Sequence, residues 1–220
     1  MFKIMFNSLI DIVGFCVDDG LPMEGNDFTP KSTRERILAA TIELIEKLGP
    51  TRLTTRAIAA QAGVNVAAIN YHFQSKEVLL EAALAASWEH ASAHLRDYVS
   101  MEPWDPRAAL SGIAVFLFEG GFRFPAVMKA NFFDGEGRVR AHIATEISAL
   151  AREIEGRLAR STGAPADALL RARVGAFLSA LVFPPLAPAC LPWSGEEEAR
   201  GEYVRVLVDD LLSNVNAASN

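Results

Sequence analysis

The chain has 220 residues, of which half are hydrophobic and 22% are charged, and its formal net charge is −6. This composition excludes a disordered or fibrous protein and allows one large domain or two small ones with a sizeable core. The acidic total argues against binding of nucleic acid over the whole surface. The two cysteines lie far apart and fit neither a disulfide framework nor a zinc motif, so we expect a cytoplasmic protein.

The charge is unevenly distributed along the chain. Residues 1–28 carry a net charge of −4, whereas residues 29–76 hold seven lysines and arginines against three glutamates, net +4. A basic module on an acidic body is the pattern expected when one domain binds DNA. The remaining residues, 77–220, carry −6. We therefore expect a DNA-binding domain over 29–76 and a separate larger domain over 77–220.

The first 28 residues begin with an apolar run that Asp11 interrupts. The run is too short and broken for a membrane span, and it lacks the small-residue cleavage site of a secretory signal. We expect a flexible N-terminal extension. A start at Met23 is the alternative, in which residues 1–22 are not part of the native protein. No later stretch of the sequence resembles a membrane span.

Helix signals follow one another from Ser32, which forms a capping box with Glu35. Apolar residues then repeat at helical spacing until Gly49-Pro50 ends the first helix. Gly63 ends the second helix, and Asn65 caps the third. The expected helices, in chain order, cover residues 32–48, 54–62, 65–72, 75–99, 106–120, 124–133, 137–161, 165–184 and 196–215. The prolines at 184, 185, 188 and 192 are expected to form a rigid loop, and the fold class is all-α.

The short helices over 54–62 and 65–72 fit a helix-turn-helix. Ala59 is small where the two helices would cross, and Gly63 stands at the turn, where a positive φ is wanted. Ile58, Val64 and Ile69 can form the seam between the helices. The polar and small residues of the third helix then remain free to enter a major groove, which admits one α-helix.

Residues 32–80 resemble the N-terminal domain of tetracycline-repressor (TetR) type regulators. The resemblance rests on TRERILAATIELIEKLG, LTTRAIAAQAGV and NVAAINYHFQSKEVLL, and the run Tyr-His-Phe-x-Ser-Lys-Glu is highly specific. It implies a homodimer with a three-helix DNA-binding domain and a helical domain that binds a small effector. Most such regulators are repressors, and the effector moves the fourth helix and thereby changes the spacing of the two DNA-reading heads.

The resemblance also implies roles for residues of the helix-turn-helix. Expected phosphate contacts are Thr54, Thr55, Tyr71, His72 and Lys76, with Arg56 reaching a phosphate or a base edge. Expected to face base edges are Val66, Ala67, Ala68 and Asn70, after Asn65 as the cap. Asparagine can bridge adenine N6 and N7, and small apolar side chains suit thymine methyls, so we expect an A·T-containing palindromic operator. Many family members have an aromatic residue at the position of Asn70, so its role stays open between base reading and a phosphate contact.

The region beyond residue 104 is rich in aromatic residues, most of which are expected to form ordinary core. Helical bundles also place ligand sites between helices, so we expect an apolar effector, with at most one polar end. The candidate effector contacts are Trp104, Phe116, Glu119, Phe122, Met128, Asn131, Phe132, His142, Glu146 and Phe177.

Two apolar stripes on the last two helices are expected to form a four-helix dimer seam, unless one of them faces the chain's own core. Their members are Leu169, Val174, Phe177, Leu178, Leu181, Val204, Leu207, Val208, Leu211 and Leu212.

The sequence also leaves rival functions to weigh. It contains no hydrolase elbow, HExxH motif or phosphate-binding glycine loop, so we expect no enzyme, no catalytic residue and no cofactor. His90 and His94 stand four residues apart, but no third metal ligand has motif spacing with them, and we expect no metal. A transcriptional activator, an effector-independent DNA-binding protein and a protein-interaction module built on the same helix-turn-helix remain the alternatives.

Overall fold

The computed structural model describes residues 32–134 and 137–217, and the predictions for the N-terminal 28 residues lie outside these ranges. The described residues form nine α-helices and no strand, which confirms the all-α prediction. The helices are α1 (Thr33–Leu48), α2 (Thr55–Ala62), α3 (Val66–Phe73), α4 (Lys76–Ser100), α5 (Pro106–Arg123), α6 (Pro125–Lys129), α7 (Gly137–Thr162), α8 (Ala168–Leu186) and α9 (Glu197–Ala217). A π-turn (Ala130–Asp134) follows α6, and short 3₁₀ turns cover Pro50–Arg52, Pro188–Cys190 and Pro192–Gly195.

The first three helices begin at the predicted caps. Ser32 and Glu35 exchange the two hydrogen bonds of a capping box, at 3.0 and 3.2 Å. The side chains of Thr54 and Asn65 accept hydrogen bonds from the third residue after them, at 3.2 and 2.8 Å. Gly63 ends α2 with φ 63° and ψ 40°, the left-handed conformation that glycine adopts without strain. These caps depend on neighbouring residues only, which is why the sequence places them well.

The chain folds into two compact units. Among the described residues, the N-terminal unit contains 32–91 together with 129–134 and 137–140, and the C-terminal unit contains 92–128 and 141–217. Helix α4 contributes to both. The functional division at residue 76 therefore stays a prediction.

Each unit has its own apolar core. In the N-terminal unit, Ile37, Ile45, Ile58, Ile69 and Leu79 have no exposed surface. In the C-terminal unit, the core lies between α4, α5, α7, α8 and α9 and includes Leu110, Ile113, Phe118, Ile154, Leu158, Val174 and Leu181. The Phe118 and Tyr203 rings stack there with centroids 5.2 Å apart, and Trp193 lies 4.6 Å from Tyr203.

The prediction that Pro184 and Pro185 form a loop is wrong, because α8 continues through both to Leu186. Proline lacks the N–H that would bond the carbonyl four residues earlier, so Pro184 leaves the carbonyl of Ala180 without its helical donor. The hydroxyl of Tyr203 supplies a donor to that oxygen at 3.0 Å. Burial raises the pKa of Tyr203, which keeps this hydroxyl protonated. Both prolines are buried, so packing against α5 also favours the continued helix.

Where one helix over 124–133 was expected, the structure has a five-residue α-helix followed by the π-turn. α5 ends at Arg123, because the capping residue Phe124 has a non-helical φ of −128°, and α6 begins at Pro125 and lasts five residues. Proline suits the first position of a helix, because its missing N–H has no partner there, and the residue before it avoids helical conformation. The chain then widens into the π-turn that contains Asn131 and Phe132.

Helix α8 is, taken singly, the one described helix that is long and apolar enough to cross a membrane. Length and composition are weak evidence, since the core helix of a soluble protein passes the same test. Its buried side chains, Leu170, Val174, Phe177, Leu178 and Leu181, belong to the core of the C-terminal unit.

Most residues of the predicted dimer seam lie inside the chain's own core. Of the ten side chains named for it, eight are buried in the chain's own core, Leu207 is half-buried, and Leu169 is exposed. Both stripes face inward because α8 and α9 pack against each other and against α5. Apart from the exposed Leu169, any surface for a second copy must therefore use mainly other positions.

Candidate nucleic-acid interface

Helix α3 divides sharply into a buried and an exposed face. Ile69 and Phe73 are at most 2% exposed, whereas Tyr71 is 84% exposed and Val66 is 37% exposed. Ala67 and Asn70 share the exposed face, and Ala68 and His72 lie at its edges. The eight residues of this helix span about 12 Å. A short helix with small and polar side chains on one free face has the size that a major groove accepts.

The starts of α2 and α3 keep polar groups available beside this face. Thr54 and Arg56 are exposed, and Thr55 is half-buried. The Thr54 hydroxyl oxygen accepts from the Ala57 N–H, so its own proton remains free to be donated. Asn65 uses its carbonyl oxygen on the Ala68 N–H, which leaves its amide N–H groups as donors. Donors at helix N-termini attract phosphate oxygens.

Lys76 links the start of α4 to the loop before α2. Its Nζ donates to the carbonyl oxygen of Leu53 at 3.2 Å, and the side chain is half-buried. An ammonium has three donors, so one holds this loop and the others can meet a phosphate. The phosphate contact of Lys76 stays a prediction. The hydrogen bond to Leu53 gives the same side chain a structural role as well.

The aromatic residues at the end of α3 are held in a chain of ring contacts. Tyr71 and His72 meet edge to face with centroids 5.1 Å apart, and His72 lies 6.2 Å from Phe73. The guanidinium of Arg34 lies over the Phe73 ring at 5.3 Å and ties the start of α1 to the end of α3. The ring contact with His72 supports the Tyr71 ring, and the exposed hydroxyl end of Tyr71 extends outward.

A strained turn joins α3 to α4. Gln74 has φ 61° and ψ −42°, the one positive φ among the described residues other than glycine. The N–H of Ser75 donates to the carbonyl of Phe73 at 2.6 Å, which makes Gln74 the centre of a rare γ-turn. Such conformations persist when the surroundings fix them, and they cluster at functional sites. This turn sets the position of α4 directly after Tyr71 and His72.

The first turn of α4 already carries a negative group. Two hydrogen bonds lower the pKa of Glu77: the larger effect comes from the backbone N–H of Glu77 itself, and the smaller one from the Ser75 hydroxyl. The Ser75 side chain also accepts from the Val78 N–H at 3.2 Å. A phosphate near this helix start would therefore meet Lys76 and the charge of Glu77 together.

Residues 37–83 match the model of a protein family described as bacterial regulatory proteins, tetR family. The matched residues form a TetR-family helix-turn-helix domain. The matched residues run from α1 into the first part of α4 and so include the whole of α3 with its exposed face. No curated protein matches the sequence.

Solved structures of TetR-family regulators share the fold over most of the chain. A regulator from Streptomyces coelicolor matches with a TM-score of 0.67 at 18% identity, covering 86% of this chain and 92% of that one. One from Legionella pneumophila gives 0.63 at 21% identity, covering 86% and 98%. The regulator PfmR from Thermus thermophilus gives 0.61 at 17% identity, covering 81% and 97%. At these identities the likeness is one of fold.

Sequence reasoning missed two arginines that hold α3 and the turn before it in place. Arg36 donates from Nε and Nη2 to the carbonyl of Ala62, at 3.3 and 2.9 Å, and from Nη2 to the carbonyl of Gly63 at 2.8 Å. Arg34 makes the contact with Phe73 described above. The partners lie 26 to 39 residues away in the sequence, so no local pattern indicates them.

The ten effector candidates are divided between the two units. Asn131 and Phe132 belong to the N-terminal unit, and the other eight belong to the C-terminal unit. Glu119 is paired with Arg200 at 3.1 Å, and Glu146 with Arg96 at 2.6 Å. Phe177 is buried, His142 is exposed, and Trp104, Phe116, Phe122 and Met128 are half-buried. Across the described residues, no group of three or more His, Cys, Asp or Glu is arranged to hold a metal.

Proposed function

We propose that the protein is a homodimeric DNA-binding repressor that a small apolar effector releases from a palindromic operator. The observation that carries the proposal is the exposed face of α3, on which Tyr71 is 84% exposed beside Val66, Ala67 and Asn70. A tyrosine ring left in water forfeits the large burial that such a ring normally gains. Its place on the TetR-family reading helix supports a partner that covers it, namely duplex DNA.

The proposed contacts fall into two groups. Val66, Ala67, Ala68 and Asn70 face base edges, where asparagine can bridge adenine N6 and N7 and the small apolar side chains suit thymine methyls. Thr54, Thr55, Tyr71, His72 and Lys76 meet phosphates, Arg56 meets a phosphate or a base edge, and Asn65 caps the helix between them. Phosphate contacts give salt-dependent affinity for any sequence, and base contacts give specificity.

The proposed dimer surface is the outer face of α8. Leu169 and Phe183 are 53% and 55% exposed, and their fourteen-residue separation corresponds to about 21 Å along a helix. The residues between them on that face are small and exposed: Ala172, Ala176 and Ser179. Small residues let two helices approach closely around a two-fold axis, and the large residues at each end can then be covered by the second copy.

The proposed effector acts by shifting a two-state equilibrium. It binds more tightly to the arrangement in which the two reading heads do not match the operator, and the difference in affinity sets how far DNA binding weakens. The many aromatic side chains beyond residue 104 support an apolar ligand. The cytoplasm is the proposed location, as expected for a regulator of transcription.

Two experiments test this function. Genomic footprinting shows where the protein sits: protection over a promoter core supports repression, whereas protection only upstream of promoters supports an activator instead. Analytical ultracentrifugation of the free protein at micromolar concentration is expected to show a dimer. A stable monomer that binds one asymmetric DNA site would contradict the proposal.

A further inference from the structure

Two consecutive pairs of residues meet inside the N-terminal unit: Ser87-Trp88 on α4 and Asn131-Phe132 in the π-turn. Asn131 Nδ2 donates to Ser87 Oγ at 3.1 Å. The Trp88 and Phe132 rings meet edge to face with centroids 6.1 Å apart. Ser87, Trp88 and Asn131 are only 4%, 6% and 5% exposed. The junction is therefore buried and is joined by one polar and one aromatic contact.

The proton of Ser87 fixes the orientation of the Asn131 amide. The Ser87 hydroxyl donates to the carbonyl of Leu84 at 2.8 Å, so its oxygen can only accept from Asn131. The amide nitrogen must then face Ser87, and Oδ1 faces away from it. Oδ1 is buried and has no hydrogen-bond donor among the described residues. Trp88 Nε1 is a buried donor that likewise lacks an acceptor there.

A buried donor and a buried acceptor without partners destabilise a folded chain, and native proteins contain few of them. Here one of each kind lies at the same junction. The segment that carries Asn131 is a π-turn, an uncommon geometry that occurs frequently at functional sites. The combination indicates a binding position.

We propose that Trp88 Nε1 and Asn131 Oδ1 together bind the hydroxyl group of an otherwise apolar, uncharged ligand. A hydroxyl accepts from the indole N–H and donates its single proton to the amide oxygen, so both protein atoms are satisfied and no ligand donor is left over. A carboxylate cannot donate to Oδ1, and an ammonium cannot accept from Nε1.

A water molecule is the simplest rival occupant. It satisfies the same two atoms, but its second proton then needs another acceptor, and buried waters typically make about three hydrogen bonds. The Phe132 ring meets the Trp88 ring, and Leu84, one helical turn before Trp88, and Ala130, next to Asn131 in the chain, are buried and apolar. An alkyl or aryl carbon in place of that second proton suits these surroundings better.

This inference rests on the proposed effector response and specifies its ligand and its place. The site lies in the compact unit that also contains the reading helix α3, on the helix α4 that follows the strained turn at Gln74. A ligand that joins α4 to the π-turn would therefore act within the DNA-reading unit itself.

The direct test uses ¹H–¹⁵N spectra of the full-length protein without DNA. The chain has three tryptophans, so three indole N–H resonances are expected, and Trp88→Phe identifies that of Trp88. Benzyl alcohol and 1-hexanol are titrated as probes, with toluene and benzoate as matched controls. We expect a saturable downfield shift of the Trp88 indole resonance with the alcohols only. No saturable shift with either alcohol, or an equal shift with toluene, overturns the proposal.

Two variants test whether the alcohol is bound through the polar pair or only through general apolar contacts. We expect Trp88→Phe and Asn131→Leu each to weaken benzyl alcohol binding about tenfold, as for the loss of one hydrogen bond. Trp104→Phe is the matched control, because its Nε1 is also buried without a partner but lies in the C-terminal unit. If neither variant changes the affinity, the pair holds at most a water and the proposal is wrong. If an alcohol binds at Trp88 but does not change DNA affinity, the binding site is supported and the proposed effector response is contradicted.

Discussion

The guanidinium of Arg36 on α1 holds the carbonyl oxygen of Ala62 at the end of α2 with two hydrogen bonds, from Nε at 3.3 Å and from Nη2 at 2.9 Å. The carbonyls at a helix C-terminus lack intrahelical donors, and a cation placed there also complements the helix dipole. Because Gly63 follows directly and α3 begins three residues later, Arg36 fixes the turn that aims the reading helix.

Replacing Arg36 by lysine keeps the charge but removes the planar fork that makes the paired contact. We expect the free energy of unfolding to fall by about 1–3 kcal/mol, as for hydrogen bonds to charged groups. Affinity for all DNA sequences should fall with it, because α3 is less firmly placed. Urea denaturation and fluorescence anisotropy measure the two effects. Arg34→Lys is the control, since it alters the contact with Phe73 and leaves the bonds to Ala62 in place. Equal losses in both variants would contradict the role of Arg36.

Lys76 and Asn70 are expected to differ in what they contribute to DNA binding. Lys76→Ala should weaken binding to every sequence and reduce the slope of log affinity against log salt by about 0.9, the value for one phosphate contact. Asn70→Ala should relax the preference at one base pair by about 1–3 kcal/mol.

Anisotropy titrations at several salt concentrations, on a preferred site and its single-base variants, separate the two effects. Lys47→Ala serves as the control, because it removes one positive charge from α1 at a residue ion-paired with Glu43. If Asn70→Ala weakens all sequences equally, Asn70 contacts the backbone and does not read a base.

The strained turn at Gln74 should be relieved by glycine. At φ 61° and ψ −42° a residue with a Cβ is strained, whereas glycine is not. We expect Gln74→Gly to raise the free energy of unfolding by about 1 kcal/mol. Gln74→Ala keeps the Cβ and should leave the stability nearly unchanged. Thermal unfolding of the three proteins tests this, and a Gly variant less stable than the Ala variant would show that the turn is not strained.

Two adjacent glycines on α5 are expected to respond oppositely to alanine. A Cβ on Gly121 would lie 2.7 Å from the Pro185 ring and 2.6 Å from the sulfur of Met128, and the proline ring cannot move aside. Gly121→Ala should therefore lower the free energy of unfolding by about 1–3 kcal/mol, as overpacked cores do. Gly120 has no atom within 4 Å of such a Cβ, so Gly120→Ala should raise it by up to about 1 kcal/mol through helix propensity.

Urea denaturation of both variants measures these changes. Destabilisation by Gly120→Ala as large as that by Gly121→Ala would mean that α5 resists substitution for a reason other than its packing on α8.

A charge placed in the middle of the outer face of α8 should weaken the proposed dimer. Ala176→Arg adds a long charged side chain between Leu169 and Phe183, where two helices are proposed to meet closely. We expect the dimer dissociation constant to rise by at least tenfold in sedimentation velocity. Ala149→Arg, an equivalent change at an exposed position of α7, should leave it unchanged. An intact dimer in the Ala176→Arg variant would place the interface elsewhere.

The reading helix could be predicted from the sequence because its determinants are local. The caps Thr54 and Asn65 and the turn at Gly63 each act within four residues, and the dense resemblance over residues 32–80 placed the exposed face. The contacts of Arg36 and Lys76 could not be predicted, because their partners Ala62 and Leu53 are more than twenty residues away.

The C-terminal unit was harder to predict for a physical reason. Apolar stripes on α8 and α9 fit a dimer seam and a subunit core equally well, and only their packing against α5 shows that most face inward. Pro184 and Pro185 predict a helix end, but the hydroxyl of Tyr203 replaces one lost backbone donor and α8 continues. Ligand contacts likewise depend on which helices meet, and a sequence pattern alone does not show that.

The central claim is that α3 reads DNA sequence as one of two symmetric heads. Selection of bound duplexes from a random pool tests it most directly, with wild-type protein and the Asn70→Ala variant compared at the same salt concentration. The account predicts enrichment of two inverted half-sites that contain A·T pairs, and loss of preference at one pair in each half-site for the variant. No enrichment over the input pool, or enrichment of a single asymmetric site, would contradict it.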